Sequence, residues 1–309
     1  MAKNILEVNN LVKVFNKTKV VSNISFTLKK GEILGFLGPN GAGKTTTIQM
    51  LMGVLTPTSG AISYFGQDFY RNKTKILEKL NFSSTYTSFP ADLTTYEILK
   101  YTSFFYKISN REKNIADTLE LLSINKLRNK RVRNLSEGQK TKVNLAKAFL
   151  NKPEILLLDE PTASLDPQSA KLVRDFIIKQ QNEDGLSVLF TSHNMPEVEE
   201  VCDRIIFIDH GKIIDNASPN EIAKRVDLIT LTLRFKKEEI QKAIETFTPF
   251  ISDFKSKAEL IIFKTKEQNI SEILSLLTQN NLKFLEISID KPTLEDYFLK
   301  MSSKNNVDL

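Results

Sequence analysis

The chain has 309 residues, 41% of them hydrophobic and 9% aromatic, enough for one large and one small domain with an ordinary packed core. Its start lacks the continuous apolar stretch of a signal peptide, and no run reaches the roughly 18 apolar residues of a membrane helix, so a cytoplasmic location is expected. The net charge of +6 lies upstream, because from Arg225 onward 13 Lys/Arg face 13 Asp/Glu, leaving 30 against 24 before it.

The densest basic piece is Lys126, Arg128, Lys130, Arg131 and Arg133, a pattern that suits anionic lipid, an acidic partner or nucleic acid, but suits a solvated helix face and loop better. The single cysteine, Cys202, excludes an internal disulfide framework and reads as packing.

In chain order, alternation at Ile24, Phe26 and Leu28 predicts a half-exposed strand, and the run Ile33 to Leu37 a buried one. A glycine-rich loop follows, and Thr45 to Leu55 reads as a helix stopped by the turn cluster at 56–60. Tyr96 to Lys107 and Arg111 to Leu122 repeat apolar residues at helical spacing, while Ile155 to Leu158 and Ser187 to Phe190 read as buried parallel strands. His210 lies between the apolar runs Ile205 to Ile208 and Ile213 to Ile214 and reads as a hairpin turn residue. The first domain, 1–224, is therefore expected to be α/β.

The remaining 225–309 reads as strand (Ile229 to Phe235), helix (Lys237 to Thr246), strand (Ile251 to Lys255), strand (Glu259 to Lys266), helix (Glu267 to Leu277) and strand (Lys283 to Ile289). Two such halves suggest a small α+β, ferredoxin-like domain. Ile240, Ala243 and Ile244, then Ile270, Ile273, Leu274 and Leu277, would form the helix faces on its sheet.

The chemistry sits in the first domain. Gly38, Pro39, Asn40, Gly41, Ala42, Gly43, Lys44 and Thr45 match G-x-x-x-x-G-K-[ST], with Thr46 after them. Glycines let backbone N–H groups close around phosphates, Lys44 adds a positive point charge, and Thr45 offers a hydroxyl ligand for Mg2+. Ile155 to Leu158 then drive a strand into the sheet centre and leave Asp159 and Glu160 at its C-terminal edge, where α/β sheets bind ligands. There Asp159 would hold Mg2+ through its water shell, and Glu160 would orient and deprotonate an attacking water.

Between these elements lies Leu135-Ser136-Glu137-Gly138-Gln139, and beyond them Ser164-Leu165-Asp166 and His193. This order of motifs resembles the ATPase subunits of ATP-binding-cassette (ABC) transporters over about Ile5 to Ala223. The resemblance implies a P-loop NTPase with an antiparallel β subdomain and a helical insert, ATP and Mg2+ as cofactors, and ATP hydrolysis with Glu160, His193 and Lys44 as catalytic residues. It also implies a head-to-tail dimer, in which Ser136 and Gly138 of one copy cap ATP held by the P-loop of another, and a separate membrane permease. Phe15 matches the aromatic that stacks on adenine, although an apolar strand residue accounts for it too; Asp166 matches the aspartate linking the two sites, and His193 the γ-phosphate switch.

Two positions depart from the family pattern. Thr85 aligns where a glutamine is usual, and its hydroxyl is too short to reach Mg2+ except through water. Glu137 replaces the first glycine of the signature, a change expected to be tolerated with the side chain in solvent. The ending at 291–299 resembles that of exporter-type cassette ATPases, and a docking helix with Leu294, Tyr297 and Phe298 packed on the sheet explains it equally well. The expected function is therefore the ATPase of a two-component exporter, peripheral at the cytoplasmic face of the membrane and meeting its permease near Tyr86 to Ile98, with no nucleic acid as partner. The alternatives are a soluble cassette ATPase acting on ribosomes or DNA, suggested by the basic stretch, and a P-loop kinase, which leaves 135–139 and His193 without a role.

Overall fold

Residues 3–84, 88–163, 165–226, 228–248 and 254–305 are described by the computed structural model of the chain. Two compact units emerge, divided after Pro219, slightly ahead of the boundary expected at 224/225.

The first unit opens with two long antiparallel strands, β1 (Asn4–Phe15) and β2 (Thr18–Lys29), turned by Asn16 and Lys17 at φ of 45° and 71°. The buried strand β3 (Ile33–Leu37) and helix α1 (Lys44–Leu51) follow. Then β4 (Ser59–Tyr64) and β5 (Gln67–Asp68) join the first two strands in an antiparallel sheet ordered β2-β1-β4-β5. Next come α2 (Lys73–Leu77), β6 (Leu80–Ser84) and three helices, α3 (Thr95–Ser103), α4 (Arg111–Leu121) and α5 (Glu137–Phe149). The unit closes with β7 (Ile155–Asp159), α6 (Pro167–Asp184), β8 (Ser187–Thr191), α7 (Met195–Val201), β9 (Arg204–Asp209) and β10 (Lys212–Ala217); α8 (Pro219–Ala223) spans the division.

The second sheet runs β10-β9-β3-β8-β7-β6, parallel throughout except for β10. Every residue of β3 and β8 is buried, as expected for central strands covered on both faces. Helix ends follow local chemistry. α1 stops at Leu51, short of the expected Leu55, because Gly53 turns left-handed at φ 67° and the amides of Val54 and Leu55 both return to the Gln49 carbonyl. α3 starts on a capping box, with Thr94 accepting from the Glu97 amide and Glu97 from the Thr94 amide, and ends at Ser103 rather than Lys107. His210 and Gly211, at φ of 43° and 74°, form the hairpin turn between β9 and β10. Cys202 is buried, and burial pushes its thiol well above the usual range.

The second unit contains β11 (Ile229–Phe235), α9 (Ile240–Phe247), β12 (Phe254–Lys257), β13 (Leu260–Thr265), α10 (Ile270–Gln279), β14 (Phe284–Asp290) and α11 (Leu294–Asn305). Its sheet is ordered β12-β13-β11-β14 and is antiparallel at every pairing. Ala243, Ile273 and Leu277 are buried against Leu231, Leu233 and Phe263, with Ile240 and Ile244 beside them. Leu274, expected on the same face, is instead exposed at the rim. Thr293 and Asp296 form a reciprocal cap that starts α11, on which Leu294 and Tyr297 are buried and Phe298 is half-buried. Part of the strand expected over 251–255 lies outside the described residues.

One charged pair ties the turn between the two sheets of the first unit to β9. The Arg204 guanidinium donates to both Glu32 oxygens at 2.7 and 3.0 Å, to the Thr27 carbonyl at 2.7 Å and to Asn216 Oδ1 at 2.6 Å. Glu32 is 8% exposed, so truncating Arg204 strands a buried carboxylate. Arg204→Ala should lower the unfolding free energy by about 3 kcal/mol, read from the urea midpoint of the full chain.

Candidate functional site

The loop 38–43 leaves β3 and turns directly into α1, with its shape set by close backbone approach. A Cβ on Gly38 would lie 2.0 Å from the Ile208 carbonyl oxygen, and one on Gly43 would lie 2.8 Å from that of Val20. Gly43 also caps α1 in the left-handed region at φ 104°, and the Gly211 amide holds the loop by donating to the Ala42 carbonyl. Lys44 Nζ donates to the carbonyls of Gly38 and Pro39 at 2.6 and 3.0 Å, which keeps the ammonium over the loop. Burial lowers the Lys44 pKa, while Glu160 and Asp159 pull it back up.

Asp159 and Glu160 arrive at the same sheet edge on β7. Thr191, at the end of the neighbouring β8, donates its hydroxyl to Asp159 Oδ1 at 2.7 Å and fixes the carboxylate. Glu160 turns back at φ 53°, held by its amide to the Thr191 carbonyl at 3.2 Å. His193, in the loop after β8, places Nε2 3.3 Å from Glu160 Oε1 and its amide 3.3 Å from Oε2. Burial raises the Glu160 pKa, His193 opposes the rise, and Asp159 adds to it. The result is one cleft of about 280 Å3, lined by Asn40, Gly41, Gly43, Lys44, Thr45, Thr46, Asp159, Glu160, His193 and Val20.

Residues 21–163 match the family described as ABC transporter. The chain is 33% identical over 97% of its length to the linearmycin resistance ATP-binding protein LnrL of Bacillus subtilis, covering 98% of that protein. It is also 33% identical over 96% of its length to the bacitracin transport ATP-binding protein BcrA of Bacillus licheniformis, covering 97% of it. The chain belongs to the ATP-binding subunits of ABC transporters. Its fold matches cbiO1 of Clostridium perfringens, part of the ABC transporter complex cbiONQ, with a TM-score of 0.65 and 25% identity over 80% of this chain and 96% of that one. Membership makes it an ATPase, and the relatives matched along their whole length speak against the ribosome or DNA alternative.

The remaining residues expected from the ABC motifs do not line the cleft. Ser136 caps α5, accepting from the Gln139 amide at 3.3 Å while Gln139 returns a bond to the Ser136 amide; Ser136 stays exposed, with its own O–H available to donate. Gly138 abuts α6, where an added Cβ would sit 3.2 Å from Ser169 Oγ. Asp166 caps α6 through the Ser169 amide at 3.0 Å, and hydrogen bonds from Ser169 lower its pKa. Phe15 is 43% exposed at the β1–β2 turn with Lys13 Nζ 4.9 Å above its ring, and it is not among the residues lining the cleft. Glu137 points to solvent, as expected, and pairs with Lys140 at 2.7 Å. Thr85, Tyr86 and Ser164 lie outside the described residues.

Sequence reasoning missed Val20 in the lining and Thr191 behind Asp159. Neither belongs to a motif, and only the pairing of β7 with β8 could have signalled Thr191. Because the loop runs against Ile208, Gly38→Ala should abolish ATP binding in a fluorescent-nucleotide titration. Gly66→Ala, where φ is 74° but nothing lies within 4 Å of an added Cβ, should cost stability through backbone strain and leave ATP binding intact.

Proposed function

We propose that the chain is the cytosolic motor of an exporter whose permease is a separate chain, and that two copies close head to tail on two Mg-ATP molecules. The observation that carries this is the separation of two phosphate-directed surfaces. The loop, acids and histidine line one cleft, while the exposed Ser136 hydroxyl and Gly138 at the start of α5 stand outside it. A second copy would bring them onto the γ-phosphate, where the α5 N-terminus adds its dipole.

Thr45 in the first turn of α1 and Asp159 at the end of β7 supply two oxygen ligands in one cleft, a donor set that suits Mg2+ sharing its other positions with water and phosphate oxygens. The bound ion would neutralise phosphate charge. Glu160, raised by burial and braced by His193, orients a water and takes its proton as the oxygen attacks the γ-phosphorus. The bond to the bridging oxygen breaks and ADP leaves with it. Lys44, His193 and the second copy's signature steady the developing charge, with no covalent intermediate. Phe15 stacks on the base, and Asp166 links the two sites.

Export is supported by full-length similarity to proteins named for linearmycin resistance and bacitracin transport. Among the described residues no helix is long and apolar enough to cross a membrane. The full-length match to proteins named as ATP-binding proteins supports a cargo path on a separate permease, with this chain docked at its cytoplasmic face. Within the basic stretch, Arg128 pairs with Glu112 and Arg133 with Asp92, which supports a folded surface rather than a nucleic-acid site. Residues 225–309 are read as a ferredoxin-like accessory domain on the strand order β12-β13-β11-β14.

Glu160→Gln should keep ATP affinity and lower steady-state phosphate release about 10²-fold or more. Turnover at the wild-type rate would sink the assignment of Glu160 as base.

A further inference from the structure

A third carboxylate, outside the motifs, is bonded to residues beside Glu160 and His193. Glu197 on α7 is 3% exposed, and among the described residues it has no basic partner within ion-pair distance. Burying a carboxylate is costly unless hydrogen bonds replace its water. Here two hydroxyls do so. Thr162 Oγ1 donates between the two oxygens at 2.6 and 2.7 Å, and Ser192 Oγ donates to Oε2 at 2.8 Å. Ser192 Oγ accepts from the Asn194 amide at 3.1 Å, which commits its single proton to Glu197.

The positions of these hydroxyls give the arrangement its meaning. Thr162 lies two residues after Glu160, and Ser192 immediately before His193. One buried group therefore grips both loops whose side chains meet at the 3.3 Å Glu160–His193 contact. Its own helix is anchored in the core by Met195, Val198 and Val201. Glu160 also holds a left-handed φ of 53°, a conformation that a non-glycine residue keeps only when its surroundings enforce it. The Thr191 bonds restrain Glu160 from one side, and the Thr162–Glu197 bond restrains the turn that follows. An apolar residue would pack the site at less cost, so the acid is explained by what it holds.

We propose that Glu197 is a positioning residue for hydrolysis: its buried carboxylate clamps Thr162 and Ser192 and thereby fixes the Glu160–His193 pair over the γ-phosphate. This rests on the reading of that pair given above. Thr162, Ser192 and Glu197 are not among the residues lining the cleft, so loss of the clamp should appear in turnover and not in binding.

The test uses the full chain with Glu197→Ala, Glu197→Gln, Ser192→Ala and Glu160→Gln side by side. Glu197→Ala should lower kcat by about tenfold or more, with KM and equilibrium affinity for ATP unchanged. Glu197→Gln keeps the shape and one acceptor oxygen and should recover part of the loss. Ser192→Ala should lower kcat with KM unchanged, and adding Ser192→Ala to Glu197→Ala should cost nothing more, because both break the same link. Ser192→Ala deletes one hydroxyl and carries the test alone if Glu197→Ala does not fold. Wild-type kcat in Glu197→Ala, a parallel loss of ATP affinity and thermal stability, or additive effects would each overturn the clamp. Unimpaired turnover in Glu160→Gln would instead overturn the underlying reading of the pair.

Discussion

The site depends on the parallel order β9-β3-β8-β7, which makes three strands end at one edge. β3 delivers the glycine loop there, β7 the two carboxylates and β8 the turn carrying His193. Register fixes the meeting: Asp159 pairs with Thr191 across β7 and β8, and Leu37 with Phe207 across β3 and β9. A slip of one residue in a sheet buried on both faces would reverse every side chain, so the buried strands act as the gauge of the site.

Close approach at the same edge sets the loop. Gly38 and Gly43 lie against the carbonyls of Ile208 and Val20, so the nucleotide loop is pressed onto β9 and onto the antiparallel sheet through β2. Asn40, Gly41, Gly43 and Lys44 of the loop line the cleft, and Lys44 is balanced by Asp159 and Glu160 there. The cradle is charged, with its lining drawn from β2, the loop and the ends of β7 and β8. Ser136 and Gly138, at the start of α5, are not among the residues lining the cleft of their own chain. On the function we propose, these two surfaces would be the halves of one site shared between two chains.

Much of this was legible in the sequence because its signals are local. The loop 38–46 and the run Ile155 to Glu160 announce phosphate and metal chemistry by residue type and spacing, whereas the stretch at 135–139 was legible only through its resemblance to the family. The apolar run Ile33 to Leu37 gave the bounds of β3 directly, since a strand buried on both faces has no alternation to misread. What stayed hidden is nonlocal. Thr191 serves Asp159, and Glu197 serves Thr162 and Ser192, through contacts that exist only once β7 and β8 lie side by side. Helix ends were missed where a backbone choice decides them, as at Gly53 after α1. Leu274 was misplaced because helical spacing places a residue on a face without saying how far the partner sheet extends.

A shared site requires that ATP, and not ADP, bring two chains together. Sedimentation velocity of the Glu160→Gln chain, which should hold ATP without consuming it, measures this directly. A shared site predicts the mass of two chains in saturating Mg-ATP and of one chain in Mg-ADP. The mass of a single chain in both would contradict it.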